Sequence, residues 1–203
     1  QLGGEASATR TLTLDAATVV NDGQMVTPAL ALNATSLVNR GWIQGSEALV
    51  VNSGTINNLT GATLVSGERA DLTSRTLNNG GQLQAGHLVL NSATVNNSGT
   101  LLITDRGELT VARVLTNSGL LQANRALTLD TTQLNNTASG TLMEAGGLTL
   151  ALDSLNNDGL LQVSDSLTVT ARDQNNRRHQ LPARKRELAA NALVTPGPRQ
   201  AEH

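Results

Sequence analysis

Cysteine is absent from the 203 residues, so the chain has no disulfide framework and no thiolate metal site. Neither Phe nor Tyr occurs, and there is a single Trp. Aromatic side chains supply much of the buried area of ordinary globular cores, so this composition argues against such a core. Thin repeated layers filled by Leu, Val, Ile and Ala would explain it.

Long apolar runs and strong charge are lacking as well. No run reaches the ~18 apolar residues of a membrane-spanning helix, so we expect no membrane insertion by this segment. Charged residues make up 15% of the chain and the net charge is −2, which argues against a nucleic-acid partner. The opening Gln1-Leu2-Gly3-Gly4 resembles the ends of later repeats, so we expect a segment of a longer polypeptide.

A repeat runs through most of the chain. Leu127-Thr-Leu129 and Leu148-Thr-Leu150 each begin a sequence repeat that ends in an Asn pair followed by a Gly. Similar apolar triplets recur every 18 to 21 residues, which indicates a stacked repeat protein. Their first residues are Leu12, Leu30, Leu49, Ala70, Leu88, Leu109, Leu127, Leu148 and Leu167.

Within each repeat the apolar pattern has a period of two, which is typical of strands and not of helices. Three short strands per coil of about 20 residues predict a parallel β-helix, an all-β solenoid of about nine coils stacked one strand spacing, ~4.8 Å, apart.

An Asn follows each triplet by eight or nine residues. Asn tolerates the left-handed backbone of a sharp corner, and its amide both donates and accepts hydrogen bonds, so stacked copies would form a ladder. A glycan or ligand role is the alternative. The predicted ladder consists of Asn21, Asn39, Asn57, Asn78, Asn96, Asn117, Asn135, Asn156 and Asn175.

Departures from the repeat include Trp42 and the C-terminal tail. Trp42 takes a position held by Thr or Leu in later coils, and we expect it near the surface, either covering the rod or contacting a partner. From residue 171 onward the chain carries seven basic and three acidic residues, a net charge of 7 − 3 = +4. The predicted organisation is residues 1–9 as the end of a preceding coil, 10–170 as the solenoid, and 171–203 as a basic tail, cap or linker with a short helix at 183–193.

Catalytic motifs are not found. The three histidines, His87, His179 and His203, do not cluster with carboxylates in the sequence, and no nucleotide, zinc-protease, hydrolase or calcium-loop motif occurs. We therefore expect no enzyme activity, no cofactor and no metal site in this segment.

The pattern Leu-Thr-Leu, Leu-Asn-Asn and Gly-x-Leu resembles the filamentous haemagglutinin repeat, most clearly at residues 87–102, 112–123, 126–147 and 148–162. That family comprises large exoproteins of two-partner secretion, including adhesins and carriers of contact-dependent growth-inhibition toxins. The resemblance implies a right-handed β-helix, secretion to the Gram-negative cell surface, an outer-membrane two-partner secretion transporter, and a receptor on a host cell or target bacterium.

The function implied is that of a structural shaft, which presents adhesive or toxic regions to target cells. The alternative is a self-contained binding solenoid that itself contacts a receptor. A leucine-rich repeat also has Leu-x-Leu followed by Asn, but there the Asn comes sooner after the triplet than it does here.

Overall fold

The computed structural model describes residues 1–176, 180–181 and 185–194. Every regular element in these ranges is a β-strand, so the prediction of an all-β chain is confirmed. None of the described residues forms a helix able to cross a membrane. The strands are β1 (Glu5–Ser7), β2 (Thr11–Asn21), β3 (Gln24–Asn39), β4 (Trp42–Asn58), β5 (Thr63–Ser66), β6 (Arg69–Asn79), β7 (Gln82–Asn97), β8 (Thr100–Asn117), β9 (Leu120–Ala123), β10 (Ala126–Asn136), β11 (Thr141–Glu144), β12 (Leu148–Asn157), β13 (Leu160–Val163), β14 (Ser166–Asn176), β15 (Gln180–Leu181) and β16 (Lys185–Val194).

Each coil pairs with the next in a parallel, nearly unshifted register. Leu30, for example, lies between Leu12 of the previous coil and Leu49 of the following one. All strand pairs in the described ranges are parallel, and together they build a solenoid of about nine turns, as the repeat predicts. The hydrogen bonds of each inner strand are therefore satisfied by the coils above and below it.

The core is a set of aliphatic columns that run along the solenoid. Leu49, Val51 and Ile56 point inward from β4, and Ile43, near the start of the same strand, closes the layer. All four side chains are buried. Because a layer is only one coil thick, branched aliphatic residues fill it without aromatic rings. Burial of each large aliphatic side chain contributes roughly 1.5–3 kcal/mol.

The sixth repeat differs from its prediction by two residues. The sequence pattern places Leu109 at the first position of the triplet, but Gly107 holds that position, because it pairs with Leu88 on one side and Leu127 on the other. Leu109 instead pairs with Leu90 and Leu129 at the next inward position. The glycine hid this register, since the sequence pattern relies on apolar residues at both inward positions.

The short helix predicted at residues 183–193 is wrong. Lys185–Val194 forms β16, which lies parallel to β14 with Val169 opposite Leu188 and Gln174 opposite Leu193. The exposed backbone edge of β14 provides hydrogen-bond partners that outweigh the helical preference of the alanines in this stretch. Residues 177–179, 182–184 and 195–203 of the predicted tail lie outside the described residues.

Candidate functional site

The most regular chemical feature of the solenoid is a buried column of asparagines, here called the inner column. From Asn21 to Asn136, each Nδ2 donates to the Oδ1 of the next coil at 2.7–2.9 Å, as between Asn79 and Asn97. All members are buried. The inner column contains Asn21, Asn39, Asn58, Asn79, Asn97, Asn117, Asn136 and Asn157.

The second N–H of each amide is used as well. Asn97 donates to the backbone carbonyl of Leu120 at 2.8 Å, and Asn117 donates to that of Thr141 at 3.0 Å. Because Nδ2 faces a carbonyl oxygen as well as the next side chain, the orientation of every such amide is fixed. The column thus joins the end of one strand to the start of the strand that follows the corner in the next coil.

A second set of asparagines, the outer column, lies one residue earlier on the outward side of the strand. Asn78 donates to Asn57 at 2.8 Å, Asn96 to Asn78 at 2.9 Å, and Asn175 to Asn156 at 3.0 Å. Thr116 interrupts this column, since it pairs with Asn96 and Asn135. The outer column is partly exposed to solvent, so its hydrogen bonds compete with water.

The structure divides the nine asparagines of the predicted ladder between these two columns. Three of them, Asn21, Asn39 and Asn117, lie in the inner column, and the others lie in the outer column: Asn57, Asn78, Asn96, Asn135, Asn156 and Asn175. Most repeats carry an Asn-Asn pair, and the pattern alone does not say which member points inward. The buried partners that sequence reasoning missed are Asn58, Asn79, Asn97, Asn136 and Asn157.

The backbone conformation of these asparagines differs from the one that the sequence predicts. A left-handed backbone was expected, but no described residue other than glycine has a positive φ, and among the glycines only Gly61 does, at 82°. The asparagines are the last residues of extended strands. Their role is therefore to satisfy buried polar groups with the side-chain amide, and the turn conformation does not select them.

Trp42 lies on the outside of the solenoid and is 42% exposed, as expected. Its indole Nε1 donates to Oε1 of Gln44 at 3.0 Å, which holds the ring against the rod surface. Gln24 and Thr63 are its register neighbours in the adjacent coils.

Between residues 24 and 162, the face that carries Trp42 has no charged residue at an outward position, whereas Glu5, which pairs with Gln24, lies at its N-terminal end. This face is formed by the short strands β5, β9, β11 and β13 and by the first residues of the long strands β3, β4, β7 and β8, which lie in the same register. We call it the uncharged face, and its outward residues are Gln24, Val26, Trp42, Gln44, Thr63, Val65, Gln82, Gln84, Thr100, Leu102, Leu120, Gln122, Thr141, Met143, Leu160 and Gln162.

Charged residues are collected on the long-strand side instead. Arg69 pairs with Asp71 at 2.7 Å and contacts Nδ1 of His87 at 3.2 Å, and Arg106 pairs with Glu108 at 2.8 Å. The Asp71 carboxylate raises the pKa of Arg69 above its usual value. These pairs are exposed, so solvent screens them and we expect each to contribute little to stability.

Glu144 is a buried carboxyl that sequence reasoning overlooked. It ends β11 at an inward position, where the neighbouring coils have Ala123 and Val163, and it is only 2% exposed. Neither carboxylate oxygen has a hydrogen-bond partner of good geometry, and only the Gly146 amide approaches closely enough to favour the charged form. Burial raises the pKa of Glu144 to about 7, the Gly146 amide lowers it, and the nearby Asp165 raises it further. The available signal was the alignment of Thr141–Glu144 with Leu120–Ala123, which puts the acid in an apolar column.

No cluster of three or more potential metal ligands occurs within the described ranges. His87 lies on the charged surface, whereas His179 and His203 fall outside the part of the chain that is described. The described residues thus form stacked coils held together by side-chain hydrogen bonds, and the outward faces of the solenoid differ in charge.

The haemagglutinin repeat model matches residues 2–113 and 81–184. The chain belongs to the haemagglutinin repeat family. Its fold and its stacked Leu-Asn-Asn repeats agree with that assignment, and the resemblance drawn from the sequence is confirmed. No solved structure matches the chain.

Several curated proteins are similar to this haemagglutinin repeat chain. "Deoxyribonuclease CdiA" of Dickeya dadantii (strain 3937) is 38% identical over 166 residues, which cover 80% of this chain and 5% of that protein. "Toxin CdiA" of Escherichia coli is 36% identical over 200 residues, covering 74% and 6%. "tRNA nuclease CdiA" of E. coli (strain NC101) is 36% identical over 162 residues, covering 79% and 4%. The chain therefore spans only a small part of the length of these relatives.

Proposed function

We propose that this chain is a structural shaft segment of a larger exoprotein, secreted or displayed on the Gram-negative cell surface, that presents toxic or adhesive regions to target cells. The observation that carries the proposal is the continuous coil-on-coil register of a haemagglutinin repeat solenoid. Each coil contacts its neighbours in the stack, so length is added without a larger core.

The relatives favour a toxin carrier over an adhesin within this proposal. Their printed names include two nucleases and a toxin, while the matched region covers 4% to 6% of each protein. A nuclease centre would lie in another part of such a protein, and this segment would contribute reach and no catalysis. Partners proposed for the whole protein are an outer-membrane two-partner secretion transporter and a surface receptor on the target cell.

The second candidate function is direct binding by this segment. The uncharged face supports it, because Trp42 is exposed there and is held by Gln44. Exposed tryptophans are over-represented among the residues that dominate interfaces. Under this alternative, the surface around Trp42 would contact the receptor.

A coil deletion tests the shaft function. Removal of residues 70–87 from the full-length protein joins Arg69 to Leu88, which occupies the register position of Ala70, so the solenoid continues without a slip. A shaft tolerates this change, and target-cell killing or adhesion is retained. Removal of residues 70–78 breaks the register and serves as the matched control, for which loss of surface display is expected.

The binding alternative is tested in the same assay with Trp42→Ala. A shaft role predicts unchanged activity at equal surface display, measured with antiserum to this segment and with protease added to intact cells. Loss of activity in a Trp42→Ala protein that is displayed normally would support direct receptor binding by the uncharged face. Failure of external protease to reach the segment would contradict the proposed surface location.

A further inference from the structure

Asn79 and Gly80 form the single Asn-Gly pair in the sequence. The corresponding corners elsewhere have other residues after the inner-column Asn, such as Ser98 after Asn97 and Ser118 after Asn117. An Asn followed by Gly is the arrangement most prone to intramolecular deamidation, because Gly has no Cβ to hinder the backbone nitrogen that attacks the side chain and has the widest backbone freedom.

We propose that the Asn79–Gly80 peptide is a deamidation site that the folded solenoid shields and the unfolded chain exposes. The inference is independent of the proposed shaft function, since it depends only on this peptide and on the inner column. Deamidation of Asn79 consumes only water.

The reaction consists of two balanced steps. The Gly80 backbone nitrogen loses its proton to a base and attacks Cγ of Asn79; the new C–N bond closes a succinimide ring, the Cγ–Nδ2 bond breaks, and ammonia leaves with a proton. Water then hydrolyses one of the two imide carbonyls. The product is aspartate with the original backbone, or isoaspartate, in which the backbone passes through the side-chain carbon and is longer by a methylene group.

The fold opposes the first step at both reacting groups. Asn79 is 1% exposed, its Nδ2 donates to Asn97 at 2.8 Å and to the Thr100 carbonyl at 2.9 Å, and its Oδ1 accepts from Asn58 at 2.8 Å. The attacking nitrogen, that of Gly80, donates to the Asn58 carbonyl at 2.8 Å. Ring closure requires these bonds to break together and the amide to turn away from its column.

Either product would damage the inner column. Aspartate at position 79 loses the amide N–H groups that reach Asn97 and Thr100, and it places a carboxylate among buried acceptors. Isoaspartate also lengthens the backbone at Asn79 and Asn97, the last register pair between β6 and β7. A chain that stays unfolded long enough to react at this peptide would therefore be impaired in re-forming the coil.

The test incubates the chain in parallel with and without concentrated urea at the same mildly alkaline pH, then locates the mass gain of an NH2-to-OH exchange by tandem mass spectrometry. Asn97-Ser98 and Asn117-Ser118 are internal controls in the same molecule. We expect Asn79 to react severalfold faster than both in urea and to remain unchanged in the folded chain. Equal rates for Asn79 in the two conditions, or no excess over Asn97 and Asn117 in urea, would overturn the proposal.

Gly80→Ser is the matched variant, because it copies the neighbouring corners and is measured in urea, where folding is not required. A Cβ at Gly80 would lie 3.2 Å from Oγ1 of Thr60 and 3.6 Å from Oγ of Ser98. We expect a severalfold slower reaction at Asn79 in Gly80→Ser, and an unchanged rate would refute the assigned chemistry. Deamidated chain returned to buffer should refold in lower yield; full recovery would refute the predicted damage.

Discussion

The side chain of Ile103 occupies the space that a leucine at position 107 would need. A Cβ built on Gly107 would lie 2.6 Å from Cδ1 of Ile103 and 2.9 Å from Cδ1 of Leu127. In neighbouring coils the column of Ile103 has Ala85 and Ala123, while the column of Gly107 has Leu88 and Leu127. A large and a small residue have thus exchanged places within one layer, and the volume of the layer is preserved.

This exchange predicts strong coupling between the two positions. Gly107→Leu alone overpacks the layer and should destabilise the solenoid by about 1–3 kcal/mol. Ile103→Ala alone leaves a cavity and should cost about 2–5 kcal/mol. The double variant restores the arrangement of the adjacent coils, so its loss should be well below the sum, as urea unfolding of the four proteins would show. Additive losses would contradict the packing described here.

The inner and outer columns can be compared at adjacent residues. Asn97→Ala removes the partner of Asn79 and Asn117 and leaves the Leu120 carbonyl without its side-chain donor, so we expect a loss of about 3 kcal/mol. Asn96→Ala removes one exposed hydrogen bond to Asn78 and should cost at most about 1 kcal/mol. Thermal and urea unfolding measure both variants. Similar losses would mean that burial does not set the strength of the ladder.

Because the carboxyl of Glu144 is buried, the folded chain should become less stable as the pH rises. Its pKa in the folded chain is about 7, above the ordinary value of 4.5, so between these values the unfolded chain binds fewer protons than the folded one. The contribution is fully present below pH 4.5 and is lost as the pH approaches 7. The difference of 7 − 4.5 = 2.5 in pKa corresponds to about 3 kcal/mol.

Urea unfolding at a series of pH values checks this prediction. Glu144→Gln should remove most of the pH dependence between 4.5 and 7, whereas Glu68→Gln, at an exposed site, should leave it unchanged. Glu144→Val copies the residue of the next coil, Val163, and should raise stability at neutral pH. A profile that is the same in the native chain and in Glu144→Gln would rule out a protonated buried carboxyl.

Trp42 offers a direct spectroscopic test, since it is the single tryptophan of the chain. Because its indole is 42% exposed, a neutral quencher should reduce its fluorescence in the folded state, and unfolding should change the emission only modestly. Trp42→Ala should shift the unfolding free energy by about 0.5 kcal/mol or less. An emission typical of a buried indole would contradict the outward orientation.

Much of this fold could be predicted because the same pattern of apolar residues and asparagines recurs in nearly every coil. The triplets at Leu127 and Leu148, for instance, define inward positions that the structure confirms. Errors arose where one coil departs from the others. Gly107 removed an apolar residue from the pattern, and the Asn-Asn pairs did not reveal which amide points inward. The strand at Lys185–Val194 could not be read from its own residues, because the edge of β14 determines it.

The inner column gives the rod a chemical direction. From Asn21 to Asn136, every amide donates toward the following coil, and from Asn39 to Asn157 every amide oxygen accepts from the preceding one, and the carbonyl contacts fix this orientation. A cross-section of the column therefore presents acceptors on one side and donors on the other. Two such stacks continue one another head to tail with all amides paired, whereas a head-to-head junction sets like against like. Addition or loss of whole coils along one direction is thus the change in length that this architecture accommodates most readily.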